Sequence, residues 1–137
     1  MALPSVGGGQ QVNDGNLNEL VIGTQPAPQT ATATATLTAA QLTGHMLIGN
    51  PSASAASYTL PTVAAVEAIM VNAKVGSFFE LIVVNIGTGS GVITFVTNTG
   101  WTLVGIETLP IITSAGSSAR YRARKTAAGA WTWTRVS

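Results

Sequence analysis

Cysteine is absent from the chain, which excludes a disulfide framework and any thiolate metal site. Histidine occurs once, at His45, so a zinc cage has too few ligands. Charge is scarce. Only 8% of residues are Asp, Glu, Lys or Arg, against about 25% in an average soluble domain. The net charge of +1 is too small to argue for general nucleic-acid binding. Long hydrophobic runs are missing as well. The most apolar stretch, residues 78–86, falls well below the roughly 18 residues that a membrane helix needs, so no membrane span is expected. The opening Met1-Ala2-Leu3-Pro4 runs into Ser5-Val6-Gly7-Gly8-Gly9, with neither a basic start nor an apolar core for a signal peptide.

These shortages bear on catalysis. A Ser-His-Asp triad needs His45 as its base, yet nothing local ties the acids Asp14, Glu19, Glu67, Glu80 and Glu107 to it, and no G-x-S-x-G elbow exists. His45 reads instead as a packed or edge residue of an apolar strand. Asn13-Asp14-Gly15-Asn16 is too short for an EF-hand loop and reads as a turn. Gly87-Thr88-Gly89-Ser90-Gly91 suggests a phosphate loop, but the third glycine of G-x-G-x-x-G would fall at Val92, no Gly-Lys follows, and the chain continues as strand rather than helix. It reads as a hairpin turn. No catalytic, metal-binding or cofactor-binding residues are assigned, and an enzyme is not expected.

What remains is a chain of 137 residues, long enough for one domain with a real core. Thr, Ser, Asn, Gln and Gly supply the polarity. Surfaces this poor in charge favour association, so much of this one is expected to be covered in an assembly. Residues 1–29 read as an extended N-terminal arm, rich in glycine, with an apolar patch at Leu17, Leu20, Val21 and Ile22 and a stiff Pro26-Ala27-Pro28 connector. The arm either stays loose or folds onto a neighbour through Leu17, Leu20 and Ile22. Residues 30–137 read as the folded domain. Residues 31–38 alternate Ala and Thr, with Leu37 at one Ala position, which predicts a strand with the threonines on one face. Ala39-Ala40-Gln41 reads as a turn, and residues 45–48 and 57–60 as short strands. Val63, Val66, Ile69 and Met70 recur at helical spacing behind the N-cap candidate Thr62, predicting one helix that ends near residues 72–76.

The second half reads as a β meander. Residues 78–86 suit a central strand covered on both faces, followed by strands at 92–97, 101–104 and 109–113 and a closing hairpin of 117–125 with 130–136. Short strands with turns every eight to twelve residues point to a sandwich or a barrel. On the hairpin, Arg120, Arg122 and Arg124 share one face. Such a row repels itself unless something negative meets it; it is either a solvated edge stripe or a contact for acidic residues of a partner or for phosphates. Trp131 and Trp133, with Arg135, share a face of the next strand and are candidate interface anchors, or core. The weak net charge favours a protein partner over nucleic acid.

The order of these blocks carries a resemblance over residues 30–137. The blocks are the Ala-Thr strand with Leu37-Thr38-Ala39-Ala40-Gln41-Leu42, then Ser57-Tyr58-Thr59-Leu60-Pro61-Thr62 running into an Ala/Val helix. Val75-Gly76-Ser77-Phe78-Phe79-Glu80-Leu81 comes next, and Ser118-Ala119-Arg120-Tyr121-Arg122-Ala123-Arg124-Lys125-Thr126 precedes a tryptophan-rich strand. Together they resemble the small cement, or decoration, proteins of tailed bacteriophage capsids. The resemblance implies an all-β, jelly-roll-like antiparallel β-sandwich, here with one short helix and an N-terminal arm. It also implies a homo-oligomer on the outer capsid surface of the virion, made in the host cytoplasm and bound to the major capsid protein. It transfers no catalytic or interface residues. A two-fold dimer is preferred to a trimer, as the commonest closed form. The rival readings are a receptor- or glycan-binding module of a phage fibre or tail, using the tryptophans, and a single-strand nucleic-acid binder using Arg120, Arg122, Arg124, Trp131 and Trp133.

Overall fold

The computed structural model describes residues 23–105 and 117–137. Leu17, Leu20 and Ile22 of the arm, and the strand expected at 109–113, lie outside the described residues. Within them the chain is mostly β, as expected. Its elements are β1 (Gln29–Ala31), β2 (Ala35–Thr36), α1 (Ala39–Thr43), β3 (Met46–Gly49), β4 (Ala56–Thr59), α2 (Val63–Ile69), β5 (Phe78–Asn85), β6 (Ile93–Val96), β7 (Trp101–Val104), β8 (Ser117–Ala127) and β9 (Ala130–Arg135). Because β1 starts at Gln29, the expected boundary between arm and domain falls inside the first strand.

The strands form a six-stranded sheet, in the order β1-β3-β5-β8-β9-β7, and a three-stranded sheet, β2-β4-β6. The chain winds. Each circuit lays one strand in the larger sheet and the next in the smaller, and successive circuits stack in parallel. Gln29 lies opposite Leu47, and Leu47 opposite Val83; Ala35 lies opposite Tyr58, and Tyr58 opposite Phe95. Among the described ladders only β5–β8 and β8–β9 are antiparallel, and β9 returns to pair with β7 in parallel. The pairing thus departs from the antiparallel meander expected of residues 78–136. A turn signal says that a strand ends, not which sheet the chain enters next. Here the intervening segments are long enough for parallel crossovers, and two of them carry helices.

The Ala-Thr repeat shows how this winding overrides local pattern. Residues 31–38 are not one strand: the chain leaves the larger sheet after Ala31 and enters the smaller at Ala35. Ala33 and Ala35 are exposed, while Leu37 is buried. Alanine and threonine bury too little surface for alternation alone to hold a face. The corner is fixed instead by Tyr58, whose buried hydroxyl donates to the Ala31 carbonyl at 2.9 Å. The expected turn at Ala39-Ala40-Gln41 is a short helix, α1. Its capping box is complete: Thr38 Oγ1 accepts from the Gln41 N–H at 3.2 Å, and Gln41 Oε1 accepts from the Thr38 N–H at 2.8 Å. His45, expected within a strand, is an exposed turn residue with φ 68° just before β3. In α2, Thr62 caps as expected, accepting from the Ala65 N–H at 3.3 Å. The helix ends at Ile69, earlier than expected, and only Val63 and Val66 of its apolar stripe are buried.

The buried sides of the two sheets meet in one core. Phe95 of the smaller sheet lies 4.9 Å from Tyr121 and 5.6 Å from Trp133 of the larger. Tyr121 and Trp133 stack at 5.1 Å with an interplanar angle of 9°. Trp131 packs on Phe79 and Trp101. Each such buried ring adds a few kcal/mol, about 0.5–1.5 of it from each aromatic pair beyond area burial. Asn85 is the buried polar residue of the described core. Its amide donates to the Gly91 carbonyl at 3.0 Å, and its Oδ1 accepts from the Gly87 N–H at 2.8 Å. The Gly87–Gly91 segment is therefore not a hairpin turn. It carries the chain from β5 in one sheet to β6 in the other, and a methyl group at Gly91 would collide with the Ser52 carbonyl oxygen.

Candidate interaction face

β5 was expected to be covered on both faces. It is covered on one. Phe79, Leu81, Val83 and Asn85 point into the core, while Phe78, Glu80, Ile82 and Val84 point outward. The register then assembles the outward face of the six-stranded sheet. Across from Phe78, Glu80, Ile82 and Val84 stand Arg124, Arg122, Arg120 and Ser118 of β8. On the other side of β5, Met46 lies opposite Ile82, and Ile48 opposite Val84. Beyond β8, Thr132 lies opposite Arg124, and Thr134 opposite Arg122. The face thus has an apolar flank on β3 and β5, an arginine row along β8 and a threonine flank on β9. Phe78 is 56% exposed and Ile82 37%.

Its electrostatics are unbalanced. Glu80 Oε1 accepts from Arg122 Nη2 at 2.6 Å and from Nε at 2.9 Å. Arg120 Nη1 approaches the other oxygen only to 3.9 Å. Arg122 also sits over the Phe78 ring, 4.6 Å from its centroid. Arg124 has no carboxylate partner among the described residues. In this row of three arginines one carboxylate therefore serves two. With Arg120 and Arg122 both about half exposed, such pairs are worth about 0–1 kcal/mol each; they orient the row more than they stabilise the fold.

At the Phe78 end the apolar flank continues onto the segment after α2. Ile69, Val71 and Val75 are all more than half exposed. With Met70, Ala73 and Phe78, Ile69 and Val71 border a shallow hollow of about 370 Å³. Glu67, on α2, does different work. It accepts from Lys125 Nζ at 2.8 Å and from the Trp131 indole N–H at 3.0 Å, so it ties the helix to the β8–β9 hairpin. Those two donors hold its carboxyl below the usual range.

Of the residues singled out in the sequence, Arg120, Arg122 and Arg124 do share one exposed face. Trp131 and Trp133 do not join them. Both are fully buried on the inward side of β9, and Trp101 is nearly so. The reason is register and parity: Trp133 pairs with Ala123 and Trp131 with Lys125, both positions that alternate with the arginines. No stacking surface of tryptophan beside arginine is formed. Phe78, Glu80, Ile82, Met46 and Ile48 were missed as members of a surface. The sign was Glu80 inside an apolar run: a strand covered on both sides has no place for an unpaired carboxylate, so the residues of its parity, Phe78 and Ile82, belong outside.

Among the described residues no group of three or more His, Cys, Asp or Glu side chains comes together as a metal site would require. Nor is any described helix long and apolar enough to cross a membrane. Comparison of the chain with protein-family models, with curated proteins and with solved structures found no match.

Proposed function

We propose that the chain is a structural virion protein that binds the outer surface of the major capsid protein shell and cements neighbouring subunits, stabilising the head against the pressure of packaged DNA. One observation carries the reading: the outward face of the larger sheet exposes large apolar side chains and no described element covers it, in a chain with little charge to keep such a face solvated. Many copies, each making a modest contact, hold a shell through multivalency. The block order that resembles capsid cement proteins supports the same partner. Two sheets sharing one core support the layered part of a jelly-roll-like sandwich; the parallel ladders favour a wound rather than a jelly-roll path through those layers. In this reading the protein acts as a homo-oligomer, a dimer in preference to a trimer. The glycan-binding rival needs an exposed aromatic platform, and the described tryptophans are in the core.

The test is sedimentation of the protein with purified empty capsids, followed by imaging of the added density. Co-sedimentation is expected, with the six-stranded sheet turned to the shell, and Ile82→Asp is expected to weaken it. Protein that stays in the supernatant, or that binds with this face turned to solvent, would refute the proposal. Sedimentation equilibrium of the free protein reads its oligomeric state.

A further inference from the structure

The outward face has a chemistry that selects its partner, and this inference rests on the reading that the face docks on protein. The row Arg120, Arg122, Arg124 meets a single carboxylate, Glu80, whose shorter contacts both go to Arg122. Arg124 has none among the described residues, and Arg120 has a long one. Along a strand, side chains on one face recur about every 6.7 Å. Arg120 and Arg124 therefore stand on either side of an arginine that is already neutralised and held over Phe78. Beside them runs the apolar flank of Met46, Ile48, Ile82 and Phe78.

We infer that this face binds an acidic, apolar protein surface in extended conformation, one that presents carboxylates to Arg120 and Arg124 and alternates them with aliphatic side chains that cover Ile82 and Phe78. The charges are complementary in the required sense: three guanidinium groups against one carboxylate leave the face cationic, and guanidinium pairs carboxylate bidentately. Nucleic acid fits less well. Phosphates would leave the apolar flank unburied, and the stacking aromatics that single strands need point into the core. The Glu80–Arg122 pair acts as a spacer: it keeps the row extended and the partner's carboxylates on its two ends.

The experiment uses the full chain and beads bearing, at high density, a peptide of repeated Glu-Thr-Val-Thr (Glu/Val), whose extended form sets Glu and Val in turn on one face and is long enough to lie along β8. The controls are Gln/Val and Lys/Val peptides and an oligo-dT strand. Retention on the Glu/Val peptide is expected to exceed that on the Gln/Val peptide about tenfold, to fall with added salt, and to drop by about the same factor in Arg124→Glu. Arg124 makes no ion pair within the described fold, so this variant should fold, and the emission of the buried tryptophans checks that it does. The triple reversal Arg120→Glu, Arg122→Glu, Arg124→Glu is expected to move the preference to Lys/Val. Equal retention on Glu/Val and Gln/Val, or tighter binding to oligo-dT, overturns the inference. Capsid sedimentation is an independent readout. If capsids bind and the Glu/Val peptide does not, the acidic chemistry is wrong and docking on the shell stands. If the peptide is retained as expected and capsids do not bind, the chemistry stands and the shell is the wrong protein.

Discussion

Glu67 joins α2 to the β8–β9 hairpin through a single carboxylate that takes three donors. Its Oε1 takes the Lys125 ammonium and the Trp131 indole N–H, while the Gly129 N–H reaches the same group at 3.2 Å. Lys125 also donates to the Ala73 carbonyl at 3.1 Å, beyond the end of α2. Because these donors lower the carboxyl's pKa, its ionised form is favoured by folding. The stabilisation is therefore fully present above the ordinary carboxylate pKa and is lost as pH falls through the lowered folded value. Glu67→Gln should lower the Tm at neutral pH, and its difference from the native chain should shrink as the solution is made acid. Thermal melts across that range check this; a difference that does not change with pH would assign the effect to packing instead. In the sequence, Glu67 shows only as one charge on a helix. Its partners lie about sixty positions away, and no local pattern announces them.

Elements were legible where a cap or a long apolar pattern marked them, and misplaced where pairing decides. The strands now at β3 to β7 and the β8–β9 hairpin were visible as apolar runs between turn residues. The helix behind Thr62 was visible from its cap and spacing. The short helix α1 was also written in the sequence, as Thr38-x-x-Gln41 before Leu42, yet Ala39-Ala40-Gln41 is too short a segment to show a helical stripe and reads as a turn. With so few residues of its own, α1 depends on that box. Thr38→Ala removes the acceptor for the Gln41 N–H and should cost about 1 kcal/mol, read as a shift in the urea midpoint with an unchanged slope. An unaltered midpoint would show that burial of Ala39 and Leu42 alone holds the turn of helix. Parallel pairing was not legible at all. The residue that faces Leu47 is Val83, and nothing near either position distinguishes a strand that turns back on itself from one that returns after a full circuit. The candidate face divides in the same way. The arginine row follows from period two on one strand, whereas its apolar flank needs the register between β3, β5 and β8.

At the scale of the whole molecule, charge is segregated. From residue 20 to residue 66 there is no Asp, Glu, Lys or Arg. The first circuits of the coil, including the rim strands β1 and β2, are therefore neutral, and the charged side chains of the described fold belong to α2 and the elements C-terminal to it. In the larger sheet β8 and β9 bridge β5 to β7, and they supply Tyr121, Trp131 and Trp133 to the core shared with Phe79 and Phe95. A chain cut after residue 105 lacks both strands. It should show no cooperative thermal transition by circular dichroism, because β5 loses its long antiparallel neighbour and the aromatic cluster loses its centre. A sharp transition in that fragment would mean that the wound part is a folding unit by itself.

The winding also orders events in time. Among the described ladders, the one between strands adjacent in sequence is β8–β9, at the C-terminal end; every other strand pairs with one that lies beyond its immediate neighbour. Synthesis runs from the N-terminus, so most of the chain leaves the ribosome before it meets a hairpin that can form quickly and locally. The core ladders of β8 and β9 therefore wait until residues 117–135 have been made. Earlier, before β5 and β6 are made, the charge-free stretch from residue 23 to residue 66 lacks strands it pairs with in the finished fold, and the small alanines of its Ala-Thr repeat offer little apolar surface for premature association.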